Sequence, residues 1–301
     1  MAASSSSSSP KVWFITGCST GFGREIALAA LQRGDKVIAT ARNVERLAEL
    51  RAAGAHALAL DVTGPLVELE ALANEAIKVY GQVDILVNNA GYTQTGALEE
   101  VTPEQTFAQF NTNVFGLLNV TRAFLPHMRE RKAGVVALIG SMVGWVGYPG
   151  VGLYCASKFA VEGLGEALHG ELAPLGIAVT VIEPGSFRTA LLKEGSNLGA
   201  ASRHIDDYKP SAGYALKLVK ERDGKQEGDA VKGAQRIVDV LTLSGSAAGR
   251  QQIPIRFALG GDAMAAIKGK IQSSLAMLEE WKDLSLGTEH EDVAAPSSHE
   301  P

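Results

Sequence analysis

The chain alternates short apolar runs with longer amphipathic stretches from residue 12 onward. Six apolar runs predict β-strands, at Val12 to Ile15, Lys36 to Ala41, Ala55 to Leu60, Val83 to Val87, Ala133 to Ile139 and Ile177 to Ile182. Helical periodicity predicts helices between them, at Gly23 to Arg33, Pro65 to Tyr80, about Glu104 to Arg131 and about Leu153 to Leu175. This alternation predicts a parallel sheet with right-handed crossovers.

The pattern changes after residue 185. The segment from about 186 to 228 is rich in Ser, Gly, Lys and Asp, and it contains Tyr208 and Tyr214. We interpret it as a mobile, partly helical substrate lid, with a plain surface insertion as the alternative. Further on, the pattern predicts a helix, a last strand and a last helix, at Asp229 to Thr242, Ile255 to Leu259 and Asp262 to Trp281.

These elements predict one α/β domain over residues 11–284, a doubly wound parallel sheet of the Rossmann type with an extended C-terminal part. Residues 1–10 are a Ser-rich run that cannot bury a core, so we expect them to be disordered. A transit peptide is the alternative for this run, although it contains no Arg. The polar tail over residues 285–301 is expected to be flexible.

Composition narrows the functional classes. The net charge is −5 and no Lys/Arg run occurs, which argues against a nucleic-acid partner. No apolar stretch approaches the roughly 20 residues of a membrane span. Cys18 and Cys155 are too few for a disulfide framework, and no His/Cys spacing indicates a metal site. Since no secretory signal is recognisable, we expect a cytoplasmic protein.

A glycine-rich segment, Thr16-Gly17-Cys18-Ser19-Thr20-Gly21-Phe22-Gly23, follows the first predicted strand and opens the first helix. Glycines permit a tight turn, and the start of a helix offers free N–H groups and a positive dipole end to an anion. The spacing departs from the G-x-G-x-x-G fingerprint of larger dinucleotide-binding domains. Its place in a βαβ unit nevertheless favours phosphate binding over a merely tight turn.

The end of the second predicted strand bears on the choice of cofactor. In NAD-binding proteins an acidic residue at this place binds the ribose 2′-hydroxyl group, whereas this sequence reads Ala39-Thr40-Ala41-Arg42-Asn43. The planar guanidinium group of Arg42 suits a 2′-phosphate, and Ser19 or Thr20 can add a hydroxyl contact. The alternative is an ordinary surface arginine at a helix start. The absent acid and the present base both favour NADP(H).

Tyr154 and Lys158 lie four residues apart, which places them on one face of a helix. A free tyrosine has a pKa of about 10, and lowering it to about 7 requires roughly 4 kcal/mol of preferential tyrosinate stabilisation. A lysine charge about 4 Å away supplies this at an effective dielectric constant near 20, but only about 1 kcal/mol in water. The pair therefore predicts an acid–base site whose pKa is lowered only if water is partly excluded.

The order of the motifs is more specific than any one of them. The glycine loop is followed by Asn88-Asn89-Ala90-Gly91, Asn113-Val114-Phe115-Gly116, Ser141, the Tyr154/Lys158 pair and Pro184-Gly185. From about Lys11 to Thr189, the chain resembles the short-chain dehydrogenase/reductase family in its single-domain branch. The segments Gly228-Asp229 and Pro254 to Ala263 resemble the extended C-terminal part of members similar to hydroxysteroid dehydrogenases and related bacterial and fungal reductases.

The resemblance implies a role for each matching residue. Tyr154 would be the general acid in reduction and the base in oxidation, and Lys158 would bind the nicotinamide ribose and lower the pKa of Tyr154. Ser141 would hydrogen-bond the substrate oxygen, and Asn113 would hold a water molecule in a proton relay. The residues that would contact the cofactor are Thr16, Gly17, Ser19, Gly21, Phe22, Gly23, Arg42, Asp61, Asn88, Ala90, Gly91, Tyr154, Lys158, Pro184, Gly185 and Thr189.

Together these inferences predict an NADP(H)-dependent oxidoreductase that transfers a hydride between nicotinamide and a ketone, an aldehyde or a secondary alcohol. One alternative is an NAD-linked alcohol dehydrogenase. Another is a catalytically silent cofactor-binding sensor or scaffold, against which the complete Ser141, Tyr154 and Lys158 set argues. Met142, Trp145 and Tyr148 are compatible with a hydrophobic substrate pocket or with loop packing. The resemblance is compatible with a homodimer or a homotetramer.

Overall fold

The computed structural model describes residues 9–192 and 197–290. The strands are β1 (Val12–Ile15), β2 (Lys36–Ala41), β3 (His56–Ala59), β4 (Ile85–Asn88), β5 (Thr93–Thr95), β6 (Gly134–Ile139), β7 (Ile177–Pro184), β8 (Leu198–Ala200) and β9 (Arg256–Leu259). The α-helices are α1 (Gly21–Gln32), α2 (Ala48–Ala52), α3 (Leu66–Tyr80), α4 (Pro103–Phe110), α5 (Leu117–Arg131), α6 (Gly152–Leu172), α7 (Tyr214–Arg222), α8 (Ala230–Thr242), α9 (Gly261–Glu280) and α10 (Lys282–Ser285).

Seven of these strands form one sheet in the order β3-β2-β1-β4-β6-β7-β9. Every adjacent pair is parallel, so each connection crosses over the sheet. Helices cover both faces, which confirms the predicted doubly wound fold of the Rossmann type. The strand order reverses between β1 and β4, and sheets of this kind bind ligands beside the carboxyl ends of the strands at that reversal.

The two faces of the sheet bury separate apolar clusters, because successive residues of a strand point to opposite sides. Phe14 of β1 lies in the cluster beneath α3, α5 and α6, where its ring centroid is 4.5 Å from that of Phe124. Trp13 and Ile15 lie in the cluster beneath α1 and α8 on the other face. The apolar runs of the central strands β1 and β4 are therefore buried on both sides, as parallel sheets require.

One predicted helix is interrupted. The stretch from Glu104 to Arg131 consists of α4 and α5 joined by a π-helical segment, Asn111–Gly116. A π-helical turn takes up an extra residue, and such turns are frequent at functional sites. Asn113, which this segment carries, is almost fully buried.

The segment predicted as a lid is partly helical, as expected, and it also forms β8, which pairs in parallel with β5. Hydrogen bonds tie it to the loop before α4. The Tyr208 hydroxyl group donates to the Glu99 carboxylate at 2.6 Å, the Ile205 N–H donates to Glu100 at 2.8 Å, and Arg203 donates to the Glu99 carbonyl oxygen. Its mobility stays a prediction. Residues 193–196 of the lid, 1–8 of the Ser-rich start and 291–301 of the tail lie outside the described residues.

Other features of the described chain concern membranes, cysteines and metals. Over residues 9–192 and 197–290, no helix has the length and apolar character that crossing a membrane requires. Cys18 and Cys155 are both buried free thiols. The same described residues contain no group of three or more His, Cys, Asp or Glu side chains arranged to hold a metal ion.

Candidate active site

The glycine loop joins β1 to α1, and its backbone requires glycine. Gly17 and Gly21 have φ angles of +70° and +60°, in the left-handed region that strains other residues. A Cβ atom at Gly17 would lie 2.9 Å from Cα of Ala90, and one at Gly23 would lie 2.5 Å from the carbonyl oxygen of Gly17. The Thr20 side chain does not cap α1. The first N–H groups of the helix are therefore available to an anion.

Asn89 anchors this loop. Its Nδ2 atom donates to the carbonyl oxygens of Thr16 at 2.8 Å and Gly17 at 3.1 Å. In return, the Thr16 hydroxyl oxygen accepts the backbone N–H groups of Asn89 and Ala90, both at 2.9 Å. These four bonds join the carboxyl ends of β1 and β4 at the strand reversal. The sequence offers one signal for this role, the place of Asn89 directly before Ala90 and Gly91.

The neighbouring Asn88 side chain is committed to the interior of the fold. It is 3% exposed, and its Nδ2 atom donates to the hydroxyl oxygen of Thr121 on α5 at 3.0 Å. The side chain of Asn88 points away from the glycine loop. If Asn88 contacts the cofactor, as expected, its backbone atoms would make the contact.

Asn113 holds the loop after β4 against α6. Its Oδ1 atom accepts the N–H of Tyr92 at 3.1 Å, and its Nδ2 atom donates to the Tyr92 carbonyl oxygen at 3.0 Å and to the Ser157 hydroxyl oxygen at 3.2 Å. A Cβ atom at Gly91 would lie 3.2 Å from Oδ1. Both N–H groups of the Asn113 side chain are thus engaged in hydrogen bonds within the protein. A water molecule could bind only to an oxygen of Asn113 with a free lone pair, and that role stays a prediction.

Ser141, Tyr154 and Lys158 meet at the carboxyl end of β6. The Lys158 ammonium group lies 5.7 Å from the centroid of the Tyr154 ring, on the same helix face as predicted, and donates to the Ile139 carbonyl oxygen at 2.6 Å. The Ser141 hydroxyl group donates to the Pro184 carbonyl oxygen at 3.4 Å and lies close enough to Tyr154 to affect its pKa. The structure therefore brings these three polar side chains to one place beside the end of β7.

Burial dominates the electrostatics of this place. It raises the pKa of Tyr154 to about 12, opposed by the nearby hydroxyl group of Ser141. It also lowers the pKa of Lys158 to about 8. The spacing of the pair predicts a lowered tyrosine pKa, and the shift found in the protein alone has the opposite sign. The physical reason is that exclusion of water disfavours tyrosinate and the lysine cation alike.

The lowered pKa of Lys158 has a consequence for stability. Between pH 8 and the ordinary lysine pKa of 10.5, the unfolded chain binds more protons than the folded one. The contribution of this group to the free energy of unfolding therefore rises with pH across that window. We expect wild type to gain stability relative to Lys158→Met between pH 8 and pH 10, measured by urea unfolding. The exposed Lys36 supplies the control Lys36→Met, and parallel curves for wild type and Lys158→Met would contradict the assignment.

The remaining predicted cofactor residues lie around the glycine loop. The Thr189 side chain lies 3.4 Å from where a Cβ atom of Gly21 would be. The Phe22 ring packs on Phe187, with the ring centroids 5.0 Å apart. Gly185 follows β7, and a Cβ atom there would collide with the Asp262 carboxylate. The segments that follow β1, β4 and β7 thus lie side by side at one edge of the sheet, and we call the region between them the cleft.

Arg42 and Asp61 stand at the outer end of this cleft, after the neighbouring strands β2 and β3. Both side chains are exposed. Burial disfavours the Asp61 carboxylate, but two hydrogen bonds from Thr63 and the positive charge of Arg42 outweigh it and lower the pKa of Asp61. Arg42 is therefore a solvent-facing cation beside the glycine loop, at the position where the sequence predicts it.

Trp145 is held by packing within the protein. Its indole N–H donates to the Glu183 carboxylate at 2.8 Å, and the Arg256 guanidinium group lies 4.5 Å from the centroid of its ring. Trp145 is half-buried, so loop packing and a substrate pocket both stay predictions for this residue. Tyr148 is exposed and stays compatible with a substrate pocket.

The chain is similar to short-chain dehydrogenases along most of its length. The family model described as short chain dehydrogenase matches residues 11–197, more than half of the 301 residues. Oxidoreductase BOA17 from Botryotinia fuckeliana is 34% identical over 282 residues, covering 92% of this chain and 99% of that protein. A short-chain dehydrogenase of known structure from Streptomyces avermitilis is 42% identical with a TM-score of 0.84, covering 94% of this chain and 100% of that one.

Two further solved structures contain a cofactor. A short chain dehydrogenase/reductase from Burkholderia phymatum in complex with NAD is 25% identical with a TM-score of 0.71, covering 95% of this chain and 98% of that one. A metagenomic short-chain oxidoreductase in complex with NADP is 33% identical with a TM-score of 0.55, covering 59% of this chain and 83% of that one. With the family match and the full-length likeness to BOA17, the chain belongs to the short-chain dehydrogenase family of oxidoreductases.

Proposed function

We propose that this protein is an NADP(H)-dependent oxidoreductase that transfers a hydride between the nicotinamide ring and a ketone, an aldehyde or a secondary alcohol. The observation that carries the proposal is the meeting of Ser141, Tyr154 and Lys158 at the carboxyl end of β6. A hydroxyl group, a proton donor and a cation then lie beside the end of β7, which borders the cleft of the glycine loop.

In reduction, the Ser141 and Tyr154 hydroxyl groups would both hydrogen-bond the carbonyl oxygen of the substrate and polarise the C=O bond. When bound, the nicotinamide cofactor donates or accepts the hydride, and its oxidised form adds a positive charge. Tyr154 would pass its phenolic proton to the oxygen as negative charge develops there. Because burial raises the pKa of Tyr154 to about 12, the residue holds this proton at neutral pH and is set for donation.

In oxidation, Tyr154 would take the proton from the alcohol, so tyrosinate must become accessible. Lys158, whose pKa is lowered to about 8, is still mostly protonated at pH 7. The Ile139 carbonyl oxygen fixes its ammonium group beside the tyrosine ring. At an effective dielectric constant near 20, a cation about 6 Å away stabilises tyrosinate by roughly 3 kcal/mol.

The glycine loop fits a dinucleotide. The uncapped start of α1 faces the cleft, and the glycine positions allow backbone N–H groups to approach a pyrophosphate closely. Since the related structures contain NAD in one case and NADP in the other, the choice rests on Arg42. An exposed guanidinium group at the end of β2, with no acid beside it on that strand, favours the 2′-phosphate of NADP(H).

Substitution of Arg42 tests the cofactor proposal. We expect Arg42→Ala to weaken NADPH binding by about 10- to 150-fold, because a hydrogen bond to a charged group contributes about 1.5–3 kcal/mol. NADH binding should stay unchanged, since it lacks the 2′-phosphate. The readout is the absorbance change of each cofactor with a panel of carbonyl compounds.

Arg46→Ala is the matched control, because Arg46 is an exposed arginine of the next turn with the same charge. Wild-type enzyme that uses NADH as well as NADPH would contradict the Arg42 assignment and indicate an NAD-linked dehydrogenase. Tight NADPH binding without turnover of any compound would instead indicate a cofactor-binding sensor.

A further inference from the structure

A buried cluster of charged side chains lies behind the Ser141 turn and has no part in the chemistry above. It consists of Glu162 on α6, Glu183 on β7, Arg256 on β9 and Trp145. The two carboxyl side chains are each 2% exposed. Nη1 of Arg256 lies 3.4 Å from Glu162 Oε2 and 3.3 Å from Glu183 Oε1, and the indole N–H of Trp145 donates to Glu183 at 2.8 Å. Carboxylates at this depth are costly unless they are paired or protonated.

Among the described residues, Arg256 is the one cation within 4 Å of either buried carboxyl group. Glu162 and Glu183 meet the single guanidinium group of Arg256, whose Nε atom is also 3.0 Å from Oε1 of Glu166 on α6. The other cation that faces Glu162 is Lys158, one helix turn before it. Burial and the adjacent Glu183 raise the pKa of Glu162. Protonation of Glu162 would remove the repulsion between the two carboxylates and would give Glu162 a proton to donate.

The Glu162 side chain fills the space beneath the turn that carries Ser141. Gly140 and Gly144 flank this turn, and both face Glu162. A Cβ atom at Gly144 would lie 2.8 Å from Oε1, and one at Gly140 would collide with the same oxygen. The two glycines therefore leave a recess that the carboxyl group occupies.

The cluster also joins the other segments that form the candidate site. Glu162 follows Lys158 by one turn on the same face of α6. Glu183 directly precedes Pro184, whose carbonyl oxygen accepts the hydrogen bond of Ser141. The cluster is thus adjacent to the Ser141 turn, to the lysine helix and to the end of β7.

We propose that Glu162 and Glu183 form a carboxyl pair that shares one proton and acts as a positioning unit for Ser141 and Lys158. This inference rests on the proposed function, because the pair maintains the positions of two groups that we assign to catalysis. Glu183 is the ionised member, held by Arg256 and the Trp145 indole, and protonated Glu162 donates to it. Loss of the shared proton would place two negative charges side by side beneath the Ser141 turn.

Two substitutions of Glu162 separate positioning from simple folding. Glu162→Gln keeps the size and a hydrogen-bond donor, and we expect it to retain most of kcat at pH 7. Glu162→Ala removes both, and we expect kcat to fall by about 10- to 100-fold, since misplacement of reacting groups by about 1 Å costs up to about 10²-fold. KM for NADPH should change much less than kcat, because Arg42 and the glycine loop, which would bind the phosphates, lie away from the cluster.

Glu166→Gln and Glu166→Ala are the matched controls. Glu166 lies on the same helix face and contacts the same Arg256, but its side chain is 59% exposed, so both variants should keep wild-type kcat. If Glu162→Gln is as damaging as Glu162→Ala, an ionised carboxylate is required and the shared proton is refuted. If Glu162→Ala keeps wild-type kcat, the positioning role is refuted.

The pH dependence of unfolding tests the shared proton without turnover. A carboxyl group with a raised folded pKa keeps its proton at pH values where the unfolded chain, with an ordinary pKa near 4.5, has lost it. Its stabilising contribution is complete at low pH and is lost as pH rises. The contribution of this group should raise the equilibrium constant for unfolding by up to about tenfold per pH unit between about pH 5 and pH 7.5.

Glu162→Gln should remove that slope, whereas Glu166→Gln should keep it. Equal slopes in wild type and Glu162→Gln would overturn the shared proton whatever the activity assays show. An enzyme that turns over no carbonyl compound but shows the expected slope would contradict the proposed function and leave the carboxyl pair intact.

Discussion

Replacement of Tyr154 by phenylalanine is expected to lower kcat by about 10²–10⁴-fold, the range typical of a lost general acid–base group. The substitution removes the phenolic oxygen that would donate the proton and leaves the ring that packs near Lys158. The glycine loop and Arg42 do not depend on this oxygen. NADPH affinity, measured by titration of the intrinsic fluorescence, should therefore change little while steady-state turnover collapses.

Tyr80→Phe is the matched control for this prediction. Tyr80 ends α3 and packs against the apolar cluster on one face of the sheet, away from the cleft. The control loses the same hydroxyl group and should keep full activity. A Tyr154→Phe enzyme with wild-type kcat would refute the assignment of Tyr154 as the acid.

Replacement of Gly23 by alanine is expected to weaken NADPH binding by about 100-fold and to lower the melting temperature, because overpacking costs about 1–3 kcal/mol. The added methyl group would lie 2.5 Å from the Gly17 carbonyl oxygen and would collide with the Asn89 amide group. Relief of this collision must disturb the bonds from Asn89 to Thr16 and Gly17. The N–H groups that would face the pyrophosphate are then misaligned.

Gly163→Ala is the control for this substitution. Gly163 lies within α6, and a Cβ atom there would meet nothing within 4 Å. Alanine is favoured over glycine inside a helix by about 0.5–1 kcal/mol. The melting temperature of this variant should therefore be slightly higher than that of wild type, and its affinity for NADPH should be unchanged. Unchanged NADPH affinity in Gly23→Ala would show that the loop does not bind the phosphates.

The order of residues is enough to predict the fold class and the chemical groups of the candidate site. Strands buried on both faces need continuous apolar runs, and crossover helices need a helical period, so the order of elements could be predicted from the pattern. The spacing of Tyr154 and Lys158 placed them on one helix face, as found. Such features depend on local geometry, which the order of residues encodes directly.

Which polar side chains face the cleft depends on tertiary packing. Asn88 and Asn89 are identical neighbours, yet the first bonds to Thr121 on α5 and the second holds the glycine loop. Their difference arises because successive residues at the end of a strand point to opposite sides. Which side meets the glycine loop depends on the neighbouring elements, which no local pattern specifies.

The same reason applies to the buried carboxyl pair and to the tyrosine pKa. Glu162, Glu183 and Arg256 lie on three separate elements, and each one alone is indistinguishable in the sequence from a solvated surface charge. Only the packing of α6 against β7 and β9 brings them together behind Ser141. The direction of the Tyr154 pKa shift is likewise set by burial, which depends on all the surrounding chain rather than on a spacing of four residues.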